Sequence, residues 1–213
     1  VDLRVALEAA EEASRAKTGF LAQMSHELRT PLHGLGGTIE ALTSTHLNIE
    51  QRRLIDQCQT SAARLLRVIG DVLDFSRIES GRLEVELSPA SVKGIVDAAS
   101  SSFEAAAAQK GLKLTSEVIA DGPTWMLADS HRVGQVLSNL LSNAVKFTKS
   151  GQVSIRAEVQ QKDCDVLTTW SVSDTGCGMT DEAASCIFEA FKQADAATTR
   201  RYGGTGLGLS IVK

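Results

Sequence analysis

The sequence predicts a helical hairpin followed by an α+β sandwich. Good helix formers dominate residues 1–80, and apolar side chains recur there at intervals of three or four residues. Ser80-Gly81 resembles a helix stop, and short β-rich runs alternate with helical runs after it. The 213 residues, 43% of them hydrophobic, suffice to bury a core in one large domain or two small ones.

Each helix of the hairpin is predicted from an apolar stripe. The stripe of the first helix contains Phe20, Met24, Leu28, Leu32, Leu35, Ile39 and Leu42. The second helix has a heptad row made of Leu54, Cys58, Ser61, Leu65, Val68, Val72 and Phe75. A neighbouring row widens this seam with Ile55, Ala62, Leu66, Ile69 and Leu73. The spacing predicts two long amphipathic helices that pack through these stripes.

A polar turn separates the two helices. Thr43 to Asn48 is polar, and Asn48 followed by Gln51 resembles a capping box for the second helix. A two-helix hairpin cannot cover so wide an apolar face by itself, so we predict that two copies pair into a four-helix bundle. The helix-forming residues before Thr18 extend the first helix as a connector.

The second half of the chain is predicted to contain five strands and three helices. The strands are expected at 83–87, 112–118, 125–127, 152–159 and 167–172. The helices are expected at 92–109, 131–147 and 181–188. This order predicts one sheet with helices on one face. We therefore expect a connector helix over 1–18, a dimerisation domain over 19–81 and the sandwich over 82–213.

Composition excludes several classes of protein. A net charge of −4 and a pI near 5.6 argue against a nucleic-acid partner, because no broad cationic surface is available. The four cysteines form no CxxC pair and are expected to be reduced thiols. No apolar run approaches the roughly 18 residues of a membrane span. Because the chain begins at Val1 rather than Met, we interpret it as a fragment of a longer protein.

The segment FLAQMSHELRTPLHG, residues 20–34, resembles the phosphoacceptor motif of the histidine-kinase dimerisation domain. His26 lies two positions from both Met24 and Leu28, which is about 200° around a helix from each. It is therefore predicted to face water, where a neutral imidazole offers a free ring nitrogen as a nucleophile.

The resemblance also implies roles for two neighbours of His26. Glu27 would hold or deprotonate the other ring nitrogen and so raise its nucleophilicity. Thr30 stands where the family uses a polar side chain to position water for phosphatase action. The implied catalytic set is His26, Glu27 and Thr30.

The segment SNLLSNAVKFT, in the predicted helix 131–147, resembles the N box of the gyrase-type ATP-binding fold that histidine kinases use. Asn139, Asn143 and Lys146 share one face at helical spacing. The resemblance implies that Asn143 gives Mg²⁺ an oxygen ligand and that Lys146 neutralises phosphate charge. Related ATPases have a glutamate general base where Asn139 stands, and an amide cannot take that proton, which favours transfer to a protein acceptor over hydrolysis.

Two glycine-containing segments resemble the G1 and G2 boxes of the same fold. In DTGCGM, Asp174 would accept a hydrogen bond from the adenine amino group, while Gly176 and Gly178 let the backbone turn around the base. In GGTGLGLSIVK, residues 203–213, free backbone N–H groups suit phosphate oxygens. The nucleotide-binding candidates of that segment are Gly204, Thr205, Gly206, Leu207 and Gly208.

A segment between these boxes, IFEAFKQAD at 187–195, resembles the F box. Phe188 and Phe191 would anchor a lid, and Arg200 or Arg201 would reach the γ-phosphate when the lid closes. All the boxes of the family occur in order over about residues 15–213. Two departures are the end of the chain in the helix after the G2 box, where the family continues with strands, and Ser130 in place of a frequent proline, with Asp129 available as the helix cap.

The resemblance implies ATP-dependent phosphorylation of His26, with ATP and Mg²⁺ as cofactors, and transfer to an aspartate of a response-regulator receiver domain. That receiver would lie in the same protein, as in hybrid kinases, or in a separate one. An alternative is a regulatory kinase-like protein that associates with another histidine kinase and has little activity of its own; a plain ATPase is the third possibility. The family further implies a homodimer in a bacterial two-component system and the cytoplasmic portion of a membrane-anchored protein.

Overall fold

The computed structural model describes residues 2–162, 165–190 and 206–212, and the chain divides into two compact units, 1–83 and 84–213. The described helices are α1 (Asp2–Thr43), α2 (Ile49–Glu79), α3 (Val92–Gln109), α4 (Ser130–Phe147), α5 (Asp181–Cys186) and α6 (Gly208–Val212). The strands are β1 (Ser88–Ser91), β2 (Lys113–Asp121), β3 (Trp125–Ala128), β4 (Gln152–Lys162) and β5 (Asp165–Asp174). The roles assigned to the ranges 1–18, 19–81 and 82–213 stay predictions.

The first unit is the predicted helical hairpin of α1 and α2, which pack against each other. The predicted capping box begins α2. The Gln51 amide N–H donates to Asn48 Oδ1 at 2.8 Å, and the Asn48 amide N–H donates to Gln51 Oε1 at 3.0 Å. These reciprocal bonds satisfy backbone donors that the first helical turn leaves unpaired, and they confirm where the polar turn ends.

The two apolar rows that the sequence indicated on α2 are buried to different extents in the hairpin. Ile55, Ala62, Leu66 and Ile69 are half-buried. The heptad row is exposed at Leu54, Cys58, Ser61 and Leu65 and half-buried at Val68, Val72 and Phe75. The exposed half of this row leaves an apolar stripe uncovered on the single chain.

Two small sheets stand where one was predicted. β1 pairs with β3 in an antiparallel ribbon, whereas β2, β4 and β5 form a second sheet in the order β2-β4-β5. β2 is parallel to β4, and β4 is antiparallel to β5. The strand predicted at 83–87 was also wrong, because the Glu86 amide N–H donates to the Asp129 carboxylate instead of a strand ladder. Pairing begins only at Ser88.

The core of the second unit lies between the three-stranded sheet and helices α3 and α4. The inward residues of β4 alternate with outward ones and are fully or nearly fully buried, as expected for a central strand with one covered face. The buried core set contains Val92, Ile95, Val96, Leu137, Leu141, Val145, Val153, Ile155 and Val159. The buried side of α4 leaves its other side available to carry polar residues.

Candidate functional site

His26 lies on α1 with an exposed side chain, as its position relative to the apolar stripe predicted. Thr30, one turn later, donates its hydroxyl to the His26 carbonyl oxygen at 3.2 Å. This bond holds the Thr30 hydroxyl close to the backbone of the histidine turn. The imidazole itself is exposed to solvent.

The carboxylate of Glu27 contacts a residue that the sequence did not single out. Gln23 Nε2 donates to Glu27 Oε1 at 3.1 Å across one helical turn. An amide at this spacing orients the carboxylate without neutralising it. Gln23 therefore joins His26, Glu27 and Thr30 on the exposed side of this part of α1.

Ser25 lies directly before His26 and faces the interior of the hairpin. Its side chain is 4% exposed, and within the described residues its Oγ has no hydrogen-bond partner. A buried hydroxyl without a partner costs stability relative to alanine. The turn of α1 that carries His26 therefore has a buried hydroxyl without a hydrogen bond among the described residues, which an all-apolar helix face would not have.

Asp129 is the N-cap of α4, as predicted. Its Oδ1 accepts the Arg132 amide N–H at 2.9 Å, and its Oδ2 accepts the Glu86 amide N–H at 3.1 Å. These two backbone donors, that of Arg132 first, hold the pKa of the Asp129 carboxyl below its usual range. The carboxylate thereby fixes the entry to α4, the helix that presents the amides of the candidate site.

The polar face of α4 carries Asn139 and Asn143, both half-buried. Leu137, Leu141 and Ala144 are buried in the core on the other face. This packing fixes the position of α4, and with it the positions of the two asparagines. The Asn139 Nδ2 donates to the Gly208 carbonyl oxygen at 3.1 Å, which joins α4 to the first residue of α6. The structure therefore brings the N-box amide and the described part of the G2 box together.

Lys146 and the end of α4 show contacts that the helical spacing did not predict. The Lys146 ammonium lies 4.8 Å from the centroid of the Phe147 ring, a cation–π distance. Lys110, at the end of α3, donates to the carbonyl oxygens of Val145 at 2.7 Å and Lys146 at 3.1 Å. A cation at these carbonyls satisfies and stabilises the C-terminus of α4.

Asp174 ends β5, and a backbone donor orients its carboxylate. The Gly176 amide N–H donates to its Oδ1 at 2.8 Å, and the Thr148 hydroxyl oxygen lies 3.4 Å from the same oxygen. Thr148 is fully buried, and its single hydroxyl hydrogen is directed to the Ala144 carbonyl oxygen at 2.7 Å. Its position two residues after Lys146 was the available signal, because the N-box segment SNLLSNAVKFT ends on it.

Gly176 and Gly178 of the G1 segment each favour glycine for a different steric reason. A Cβ at Gly176 would lie 2.8 Å from the Phe147 carbonyl oxygen and 2.7 Å from Asp174 Oδ1, so no side chain fits there. Gly178 has φ +67°, a left-handed conformation that glycine adopts without strain. The loop therefore folds closely against the end of α4 beside the Asp174 carboxylate.

Part of the predicted G2 and lid residues falls within the described structure. Gly206 has φ +71°, Leu207 is 1% exposed, and Gly208 begins α6. Phe188 is 41% exposed after α5. Gly204, Thr205, Arg200, Arg201 and Phe191 lie outside the described residues.

The candidate residues are divided between the two compact units. The first unit contains His26, Glu27 and Thr30, and the second contains Asn139, Asn143, Lys146, Asp174, Gly176, Gly178 and Gly206 to Gly208. Over the described part of the chain, no group of three His, Cys, Asp or Glu side chains is arranged to hold a metal ion. No helix over the same residues is long and apolar enough to span a membrane.

Two family profiles match the chain. One, described as the His Kinase A (phospho-acceptor) domain, matches residues 16–81. The other, described as Histidine kinase-, DNA gyrase B-, and HSP90-like ATPase, matches residues 128–213. The matched ranges contain His26 and the α4–β5 candidate site respectively.

Curated relatives and solved structures agree with these profiles. The signal transduction histidine-protein kinase BarA of Escherichia coli (strain K12) is 40% identical over 214 residues, which is 100% of this chain and 23% of BarA. The autoinducer 2 sensor kinase/phosphatase LuxQ of Vibrio parahaemolyticus serotype O3:K6 (strain RIMD 2210633) is 41% identical over 207 residues, 96% of this chain and 24% of LuxQ. The chain thus spans about a quarter of the length of these relatives.

Full-length ShkA in complex with AMPPNP superposes with a TM-score of 0.70 at 38% identity, over 90% of this chain and 39% of ShkA. The histidine kinase AdeS of Acinetobacter baumannii gives a TM-score of 0.54 at 22% identity, over 88% of this chain and 83% of AdeS, and shares the fold.

Proposed function

The chain belongs to the sensor histidine kinase family, with a phosphoacceptor hairpin followed by a gyrase-type ATPase domain, and from this premise we propose that it uses ATP to phosphorylate its own His26. The phosphoryl group then passes to an aspartate of a receiver domain in two-component signalling. The observation that carries the proposal is the exposed His26 imidazole on α1 in a chain whose other unit holds the asparagine face of α4 beside Asp174.

ATP would bind along the polar face of α4. Asp174 is the proposed acceptor for the adenine amino group, and the bond from the Gly176 amide N–H supports it because that bond orients its carboxylate. Asp174 Oδ2 lies outside that bond and would accept the amino hydrogen. Gly206, Leu207 and Gly208, with Gly204 and Thr205 before them, would hold the phosphates through backbone N–H groups.

The donor set fits Mg²⁺ held largely by its substrate. Asn143 provides an amide oxygen on the polar face of α4, and no carboxylate cluster competes for the ion among the described residues. Magnesium prefers oxygen ligands and commonly keeps waters while binding phosphates, so one protein ligand is sufficient. When bound, the ion would neutralise charge on the phosphates, a task shared with Lys146 and with Arg200 or Arg201.

The chemical step is an in-line transfer. A ring nitrogen of His26 attacks the γ-phosphorus, the bond from that phosphorus to the β,γ-bridging oxygen breaks, and ADP leaves. Glu27 accepts the proton from the other ring nitrogen or holds it, with Gln23 orienting the carboxylate. The receiver aspartate later attacks the phosphoramidate and returns His26 to its starting state. Positioning and charge neutralisation account for the catalysis.

A homodimer is proposed from the stripe that the hairpin leaves uncovered. On α1, Leu28 is 49% exposed and Leu35 is 56% exposed; on α2, Leu54 and Leu65 are 48% and 47% exposed. Exposed leucines at heptad spacing are typical of a surface that a second hairpin covers. A four-helix bundle of two copies would bury them.

Further partners and activities are proposed from the relatives. BarA is named a signal transduction histidine-protein kinase and LuxQ a sensor kinase/phosphatase, so we propose the cytoplasmic portion of a membrane-anchored protein with a receiver in cis or in trans. LuxQ is named a kinase/phosphatase, and Thr30 would serve the phosphatase reaction by positioning water. Association with another histidine kinase would be the regulatory alternative.

Labelling with γ-³²P ATP and Mg²⁺ tests the proposal. We expect an acid-labile, base-stable label on the protein that is lost in His26→Ala. His33→Ala is the matched control, because His33 is a second exposed histidine on α1, and it should keep the label. A wild-type protein that binds ATP but gains no label at any Mg²⁺ concentration would support the regulatory alternative, and phosphate release that survives His26→Ala would support a plain ATPase.

A further inference from the structure

We propose that Asn139 is a positioning residue whose side-chain amide holds the segment Gly206–Val212 in its nucleotide-binding position. The inference rests on the proposed function, because that segment is assigned to the phosphates of ATP. In this role Asn139 does not bind the nucleotide directly, and it does not act in place of a general base. The task requires a hydrogen-bond donor, so a carboxylate cannot perform it.

The contact joins two distant parts of the chain at one backbone atom. Asn139 Nδ2 donates to the Gly208 carbonyl oxygen at 3.1 Å, across 69 positions of sequence. Asn139 is half-buried on α4, a helix fixed by its core face, its Asp129 cap and the Lys110 bonds at its end. A well-fixed helix therefore supplies the donor, and α6, which has five residues, receives it.

The absence of a side chain at Gly208 is matched to this amide. A Cβ at Gly208 would lie 3.2 Å from Asn139 Oδ1, which is closer than an ordinary van der Waals contact, and 3.4 Å from its Cγ. The amide thus lies close to the Gly208 backbone while its nitrogen donates to the carbonyl oxygen. The contact with Gly208 therefore depends on both the size of the Asn139 side chain and its N–H donor.

Leu207, directly before Gly208, is a second point at which the segment is held. Leu207 is 1% exposed, and its carbonyl oxygen accepts the Ile211 amide at 3.1 Å and the Ser210 hydroxyl at 2.8 Å. The segment is held by an apolar side chain at one residue and by the Asn139 bond at the next. Loss of the polar bond would leave the apolar attachment and loosen the backbone around Gly206, where φ is +71°.

An aspartate at position 139 isolates the role of the donor. Aspartate has nearly the volume of asparagine, but when ionised its two oxygens only accept hydrogen bonds. Opposite the Gly208 carbonyl oxygen it would replace a bond with two facing acceptors, which is costly at a half-buried position. Packing is retained, so any loss reports the donor.

The test compares Asn139→Ala and Asn139→Asp with wild type in the full chain. We expect Asn139→Ala to raise the Kd for AMPPNP and the KM for ATP about tenfold, with kcat for labelling His26 at saturating ATP within about threefold of wild type. Asn139→Asp should raise both constants further. Gln160→Glu, the same amide-to-acid change at an exposed position of β4, should leave them unchanged.

Hydrogen exchange gives a second readout that does not depend on catalysis. In Asn139→Ala the amides of 206–212 should exchange faster, while those of β4 keep their wild-type protection. Equal loss of protection in both regions would make Asn139 a general structural residue and overturn the proposal.

An Asn139→Asp protein that binds AMPPNP within twofold of wild type would also overturn the proposal, as would a fall in kcat at saturating ATP with an unchanged KM. If wild type binds AMPPNP but never labels His26, the proposed function fails, and the affinities and exchange rates still decide the role of Asn139.

Discussion

At the scale of single residues, one carboxylate fixes how the ATPase unit begins. Asp129 accepts backbone N–H groups from both Glu86 and Arg132, so it joins the segment before β1 to the first turn of α4. Neither bond involves a side-chain cation, so salt should weaken them little. The ionised form of Asp129 is favoured in the folded state, as the lowered pKa indicates.

Asp129→Asn should therefore remove a pH-dependent contribution to folding stability. Because the pKa of Asp129 is lowered on folding, its contribution is present at neutral pH and is lost as pH falls below about 4, through the folded pKa. We expect the Tm of the variant to lie below that of wild type at pH 7 and the two to converge toward pH 3.

Thermal unfolding followed by circular dichroism between pH 3 and 7 measures this difference. Asp121→Asn is the control, because it makes the same change of net charge at the end of β2. A difference between Asp129→Asn and wild type that stays constant down to pH 3 would contradict the assignment of the stabilisation to the ionised carboxylate.

Asp129 was predictable because its capping partner lies three residues away, and so was the exposure of His26, because helix geometry alone decides it. Thr148 and Lys110 were not predicted. The contact between Thr148 and Asp174 spans 26 positions, and the bond from Lys110 to Val145 spans 35. Local patterns carry no information about partners at such separations, and only the packing of α3, α4 and β5 brings them together.

At the scale of elements, two apolar rows lie side by side on α2, offset by one residue, and they are buried to different extents. Leu65 is 47% exposed, whereas Leu66 beside it is half-buried against α1. The heptad pattern predicted a seam but could not decide which row faces α1, because both rows have the spacing of a packed helix. The strand expected at 83–87 failed for a related reason: Val85 and Leu87 alternate as in a strand, but no other strand pairs with them among the described residues.

Leu65→Glu should shift the protein from dimer to monomer and leave each hairpin helical. The exposed leucine would be buried only by a second copy, so a charge there opposes association and leaves the α1–α2 contact intact. Sedimentation velocity and circular dichroism measure the two effects.

Arg67→Gln is the control for the Leu65 substitution, because position 67 lies about 200° further around α2 and is exposed. An unchanged dimer in Leu65→Glu would assign the stripe of Leu54 and Leu65 to another partner. Loss of helix content in the same variant would place Leu65 in the hairpin interior.

At the scale of the whole molecule, the proposed phosphoryl acceptor and the proposed nucleotide-binding residues lie in different compact units. His26 belongs to residues 1–83, and Asn143 and Asp174 belong to residues 84–213. The sequence predicted this division from the change of composition after Gly81. It did not predict the separation of the strands into two sheets, because pairing depends on how β2 and β5 meet β4 and not on any single run of residues.

This division predicts that nucleotide binding and phosphate acceptance are separable by mutation. His26→Ala should bind AMPPNP with a Kd within about twofold of wild type while losing all label, because the residues assigned to the proposed nucleotide site all belong to the other unit. Asn143→Ala should lose affinity for Mg-AMPPNP about tenfold or more and lose label in proportion, since an oxygen ligand to the ion is removed. Calorimetry with and without Mg²⁺ distinguishes the two variants.

The separation would be contradicted by a His26→Ala protein that loses nucleotide affinity as strongly as Asn143→Ala, because the histidine would then form part of the nucleotide site itself.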